Sequence, residues 1–112
     1  FWTVFIDRIL HYSELADLPD DLLSQNAIAH VAGRFAAKEA AVKALGTGFS
    51  AGIGLHDIRI ANLSTGQPVL SLHRGARARA SLIGAHISHI SLSHEKSFAV
   101  AMIIFETAPI AG

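Results

Sequence analysis

Apolar positions in the middle of the chain recur at helical spacing. Ile28, Val31, Phe35, Val42 and Leu45 fall three, four and seven residues apart, which predicts a long helix from about Ser24 or Asn26 to Leu45 with one apolar stripe. The alanines at 36, 37, 40, 41 and 44 favour this helix and leave the rest of its surface slim. Gly46 stands where the helix should stop. Gly33, inside it, costs about 1 kcal/mol relative to alanine, and close packing is the expected reason. Upstream, Val4, Ile6, Ile9, Leu10, Leu15 and Leu18 follow mixed spacings. They predict one or two short helical pieces broken near His11 to Ser13, with Ser13 or Asp20 as a cap and Pro19 opening the second piece.

Further on, the period changes to two. Ile58 and Ile60 alternate with Asp57 and Arg59, and "VLSLH" at 69–73 alternates again after "LSTGQP", which predicts a hairpin with a longer turn. "RGARARASLIG", 74–84, predicts a short helix that ends at Gly84 and carries Arg74, Arg77 and Arg79 on its open side. "ISHISLS" and "SFAVAMIIF" flank the turn "HEKS" as a second hairpin. Its second strand is apolar on both faces, which predicts a central place in the sheet. The tail "ETAPIAG" is expected to fray. The fold class is α+β, an antiparallel sheet packed on one long helix in a single domain over residues 1–112.

Composition adds an oligomeric expectation. The chain is 51% hydrophobic and only 16% charged, so a lone subunit covers its apolar atoms poorly and an interface between subunits is expected. Nine basic and nine acidic residues leave no net charge, which removes the general attraction used by nucleic-acid and membrane-surface binders. There is no cysteine, which excludes disulfides and thiolate metal sites. The longest apolar run, Phe98 to Phe105, is too short to span a bilayer.

Candidate chemistry concentrates in "GRFAAKEAAVKALGTG", residues 33–48. Glu39 and Lys43 are i and i+4 neighbours on a helix. They could form a simple ion pair, or the carboxylate could bind a hard cation while the lysine meets the oxygens of a phosphate. Gly46 and Gly48 read first as an ordinary helix stop, with a phosphate cradle of backbone N–H groups as the alternative. Among seven histidines no pair has zinc spacing with a third ligand nearby, and His86 and His89 fall on opposite faces of a strand. Ser93, His94 and Glu95 are consecutive on a strand and cannot form a triad, which leaves His94 as a turn residue or a donor to phosphate. The three arginines at 74, 77 and 79 read either as a solvated face or as a dock for an acidic partner.

Taken in order, "RILHYSEL", "AGRFAAKEAAVKALGTG", "LHDIRI", the "GQP" turn and "HISLSHEKSFAVAMII" resemble the holo-acyl-carrier-protein synthases, small phosphopantetheinyl transferases, over essentially the whole chain. The resemblance implies Mg²⁺-dependent transfer of the phosphopantetheine arm from coenzyme A to a serine of apo acyl carrier protein, in a cytoplasmic homotrimer with sites between subunits. In that picture Glu39 is the metal ligand and catalytic with Lys43. Lys43 also binds the phosphates, Ser93 and His94 lie along the coenzyme A site, and Gly46 and Gly48 shape the loop beside it. The family's first strand, of the type "GIGID", supplies a second metal-binding aspartate and has no counterpart in this sequence. Asp7 is too close to Glu39 in sequence to take that role. A non-catalytic module of the same fold, binding carrier protein or coenzyme A in a larger assembly, is the alternative reading.

Overall fold

The protein was described from a computed structural model, which covers residues 1–95 and 97–107. Helix α1, Trp2–Ile9, leads into a 3₁₀ turn at Tyr12–Asp17. His11 caps that turn: its ring accepts from the Ser13 N–H, and the Glu14 carboxylate returns to the His11 N–H at 2.9 Å. The expected break at residues 11–13 therefore lies between Ile9 and Tyr12, and the cap is His11 instead of Ser13. No helix starts at Pro19 or Asp20. Helix α2, Gln25–Leu45, starts after Ser24, whose hydroxyl accepts from the Ala27 N–H at 3.1 Å. It ends at Gly46, which is left-handed at φ 81° as a helix stop requires.

A 3₁₀ turn at Leu55–Asp57 precedes strand β1, Ile58–Asn62, which pairs antiparallel with β2, Pro68–Leu72. Helix α3, Arg74–Ile83, stops at Gly84 in the left-handed region and feeds β3, Ala85–Glu95, paired antiparallel with β4, Phe98–Thr107. Lys96 of the "HEKS" turn and residues 108–112 of the tail lie outside the described residues, while Glu106 and Thr107 belong to β4.

The core forms where α2 meets both hairpins. Ala37, Ala41, Val42 and Leu45 pack with Ile58, Ile60 and Leu70 of the first hairpin and Ala76 and Ala80 of α3, and Ala101, Ile103 and Phe105 of β4 close the other side. Ile6, Ile9, Leu10 and Val31 make a second cluster that holds α1 against α2. Ala37 and Ala41 of α2 thus serve close approach, while Ala44 is exposed.

Four expectations need correction. The strands form two separate two-stranded sheets among the described residues, so β4 is not central. Its inner face, Ala99, Ala101, Ile103 and Phe105, meets the protein, and its outer face, Phe98, Val100, Met102 and Ile104, is open to solvent in the single chain. Its double-sided apolarity therefore marks a face that no strand or helix among the described residues covers. Ile28 is 45% exposed, because the buried stripe of α2 runs through Ala27, Val31, Arg34, Lys38 and Leu45 instead. A Cβ at Gly33 would meet nothing within 4 Å, so close packing does not explain that glycine. Finally, the arginines of α3 do not share one open face. Arg79 is half-buried and donates to the Leu45 carbonyl at 2.8 Å, Arg74 pairs with Asp57 at 2.8 Å, and Arg77 is exposed.

Candidate functional site

Helix α2 presents two chemistries on two faces. At about 100° per residue, Lys38 falls on the buried stripe and Glu39 a quarter-turn away, half-buried at the surface, with Lys43 exposed one turn further on the same side. The described ion pairs do not include one between Glu39 and Lys43. A carboxylate and an ammonium standing side by side without closing on each other remain available to a ligand. Gly46 and Gly48, both at positive φ, turn the chain immediately beyond.

The other half of the predicted site lies at the opposite end of the helix. Ser93 and His94 are exposed near the end of β3, and they line a polar cavity of about 310 Å³ with Asn26, His30, Arg34 and Asn62. His94 also borders a groove of about 630 Å³ along the first turns of α2, with Gln25, Glu95 and Phe98. The helical positions lining these two cavities are 25–34, and Glu39 lies five residues beyond the last of them, about 8 Å along the axis. The single chain brings Glu39, Lys43 and the glycine turn together, and Ser93 with His94, but keeps the two groups apart.

Arg34 and His30 were not anticipated from the sequence. Arg34 is 4% exposed and its Nη2 donates to Asn62 Oδ1 at 3.0 Å. Its Nε, like His30 Nε2, is buried without a hydrogen-bond partner. Burial and then the charge of Arg34 hold the His30 imidazole below its ordinary pKa. Unpaired donors cost free energy where water cannot reach them. The Arg34 guanidinium at the wall of this cavity suits an anionic or acceptor-rich group. The signal in the sequence was the i, i+4 row of His30, Arg34 and Lys38 along one helix face.

A metal ion would find an incomplete cage here. Among the described residues no three His, Cys, Asp or Glu side chains converge. Glu39 offers one carboxylate beside a lysine, a donor set that fits Mg²⁺ when substrate phosphate and water supply the remaining oxygens.

Residues 2–103 match the family described as the 4'-phosphopantetheinyl transferase superfamily. A holo-[acyl-carrier-protein] synthase of Nitratidesulfovibrio vulgaris is 48% identical over 103 residues, covering 92% of this chain and 80% of the relative. That of Solidesulfovibrio magneticus is 45% identical over 102 residues, covering 91% and 79%. Among solved structures, a holo-(acyl-carrier-protein) synthase from Bacillus anthracis in complex with CoA (3',5'-ADP) superposes with a TM-score of 0.77 at 37% identity, over 95% of this chain and 83% of the other. The synthase from Neisseria meningitidis superposes with a TM-score of 0.79 at 30% identity, over 96% and 83%. With the order of helices and hairpins shared along nearly its whole length, the chain belongs to the 4'-phosphopantetheinyl transferase superfamily, among its holo-acyl-carrier-protein synthases.

Proposed function

We propose that this chain transfers the phosphopantetheine arm of coenzyme A to a serine hydroxyl of an apo acyl carrier protein. The observation that carries the reading is the outward pair Glu39 and Lys43 on α2, inside a family match that spans residues 2–103. In the reaction the serine oxygen forms a bond to the phosphorus that bears the pantetheine, and the bond from that phosphorus to the bridging oxygen breaks. The serine proton is lost and adenosine 3',5'-bisphosphate leaves. A neutral hydroxyl must approach a strongly anionic pyrophosphate, so charge neutralisation and alignment supply most of the rate.

Lys43 meets the pyrophosphate oxygens as a point charge and the Gly46–Gly48 turn lets backbone approach them. Glu39 would hold Mg²⁺, which when bound would offset the negative charge of the pyrophosphate. Ser93, His94 and the Arg34 guanidinium receive another anionic part of coenzyme A. The Bacillus anthracis relative holds coenzyme A or its 3',5'-ADP part, and the Helicobacter pylori relative was solved with coenzyme A.

The active form on this reading is a homotrimer. Phe98, Val100, Met102 and Ile104, each about half exposed or more, make one apolar face of the β3–β4 hairpin. Contact between copies covers that face. It also allows Ser93 and His94 of one copy to face Glu39 and Lys43 of its neighbour. Among the described residues no helix is long and apolar enough to cross a membrane, and the two substrates fit a cytoplasmic site of action.

The test is the intact mass of an apo acyl carrier protein after incubation with this chain, coenzyme A and Mg²⁺. A metal-dependent gain of one phosphopantetheine is expected, and Glu39→Gln is expected to abolish it. An unchanged rate in that variant would remove Glu39 from the site. Coenzyme A binding without any transfer would point to the non-catalytic module.

A further inference from the structure

The candidate catalytic face of α2 is held by a buried charge that the reaction does not use. Lys38 is fully buried, and its ammonium has three acceptors for its three protons: Glu14 Oε1 at 2.6 Å, the Ile9 carbonyl at 2.7 Å and the Leu55 carbonyl at 3.1 Å. The Glu14 carboxylate also accepts from the backbone N–H groups of His11 at 2.9 Å and Ile60 at 3.0 Å. One ion pair therefore ties α2 to the end of α1, to the turn at residues 12–17, to the turn before β1 and to β1 itself. Burial pulls the Lys38 ammonium below its ordinary pKa while the hydrogen bond it donates to Glu14 opposes that shift.

Stability alone is a weak reason for such a pair, since apolar side chains of similar volume commonly stabilise as well or better. What apolar contacts lack is direction. The other buried side chains of α2 are small or aliphatic, apart from Arg34, and smooth contacts resist rotation about a helix axis weakly. A turn of about 20° would carry an atom at the outer radius of α2 by roughly 2 Å. A displacement of about 1 Å at a reacting group can cost on the order of 100-fold in rate.

We infer that Lys38, locked by Glu14, is a positioning residue that sets the rotation of α2 and so aims Glu39 and Lys43 at the substrate phosphates. The inference rests on the proposed function for its consequence, but its structural half can be read without activity. The chain has no cysteine, so nitroxide labels can be placed at single introduced cysteines. Lys43→Cys and Ala61→Cys, both at exposed positions, report the azimuth of α2 against β1.

Lys38→Met combined with Glu14→Gln removes both charges and leaves no buried ion alone. In this double variant the label-to-label distance distribution is expected to shift or broaden at a thermal midpoint within a few degrees of the parent. In the unlabelled double variant, kcat is expected to fall at least tenfold and the Mg²⁺ concentration for half-maximal rate to rise several-fold, with the KM for coenzyme A changed less than twofold. A merely structural pair would lower the midpoint and leave the split between kcat and KM unmoved. An unchanged distance distribution in a folded double variant would overturn the inference whatever the activity. Absence of transfer by the parent chain would overturn the proposed function and leave the distance result to decide the positioning.

Discussion

Arg79 Nε donates to the Leu45 carbonyl at 2.8 Å, so a side chain of α3 closes the last turn of α2 beside the candidate phosphate loop. Its Nη2 stands 3.2 Å from where a Cβ on Gly46 would lie, and Gly46 itself is at φ 81°. Gly46→Ala therefore meets two obstacles, a left-handed backbone and a crowded guanidinium. We predict a loss of about 1–2 kcal/mol in urea unfolding. A neutral result would show that the loop relaxes freely and that its shape is not imposed by glycine.

Breaking one side of the buried pair should be far worse than removing both. Lys38→Met alone leaves Glu14 charged and buried, and about 3–5 kcal/mol of stability should be lost. Equilibrium unfolding of Lys38→Met beside the double variant with Glu14→Gln checks this, with most of the loss expected to return in the double variant. Equal losses in both would mean that the ammonium contributes more through the two backbone carbonyls than through the carboxylate.

Stability should decline on the acid side of neutrality. His30 is held below its ordinary pKa of 6.5 by burial and then Arg34, and His73 by burial and then Arg59 and Arg77. Groups of this kind bind more protons in the unfolded chain, so stability rises with pH from their lowered folded values up to about 6.5 and is lost as the pH falls through that window. We predict that His30→Phe flattens the slope between pH 7 and pH 5 in thermal unfolding. A slope identical to that of the parent would assign the effect to other groups.

The outer face of the β3–β4 hairpin should govern assembly. Met102, 61% exposed in the single chain, lies among Val100 and Ile104 on that face. Met102→Glu would bring a charge into an apolar contact between copies. Sedimentation velocity should show monomers for this variant where the parent sediments as a trimer. A parent that is monomeric at every concentration would remove the proposed homotrimer.

Anion binding offers a separate check on the cavity at the start of α2. Arg34→Met keeps the apolar stem and removes the charge and the unpaired Nε. Coenzyme A binding, followed by calorimetry with Glu39→Gln as background, should weaken by about 10- to 100-fold. Unchanged binding would show that this cavity takes water rather than substrate.

Much of this protein could be read from order along the chain. The long helix to Leu45, its glycine stop, both hairpins and the short helix to Gly84 follow from local periodicity and turn chemistry, which act within a few residues. The motif around Glu39 and Lys43 was visible for the same reason, since i, i+4 neighbours share a helix face in any fold. Local pattern could not decide which partners lie across space. Lys38 looks like one more surface lysine until Glu14, Ile9 and Leu55 fold around it. Arg34 and His30 line a cavity only because β3 places Ser93 and His94 beside them. The unbroken apolar run of β4 predicted burial on both sides, but only the fold showed that one face has no cover among the described residues. Periodicity records how strongly a position avoids water, and tertiary structure decides what takes the water's place.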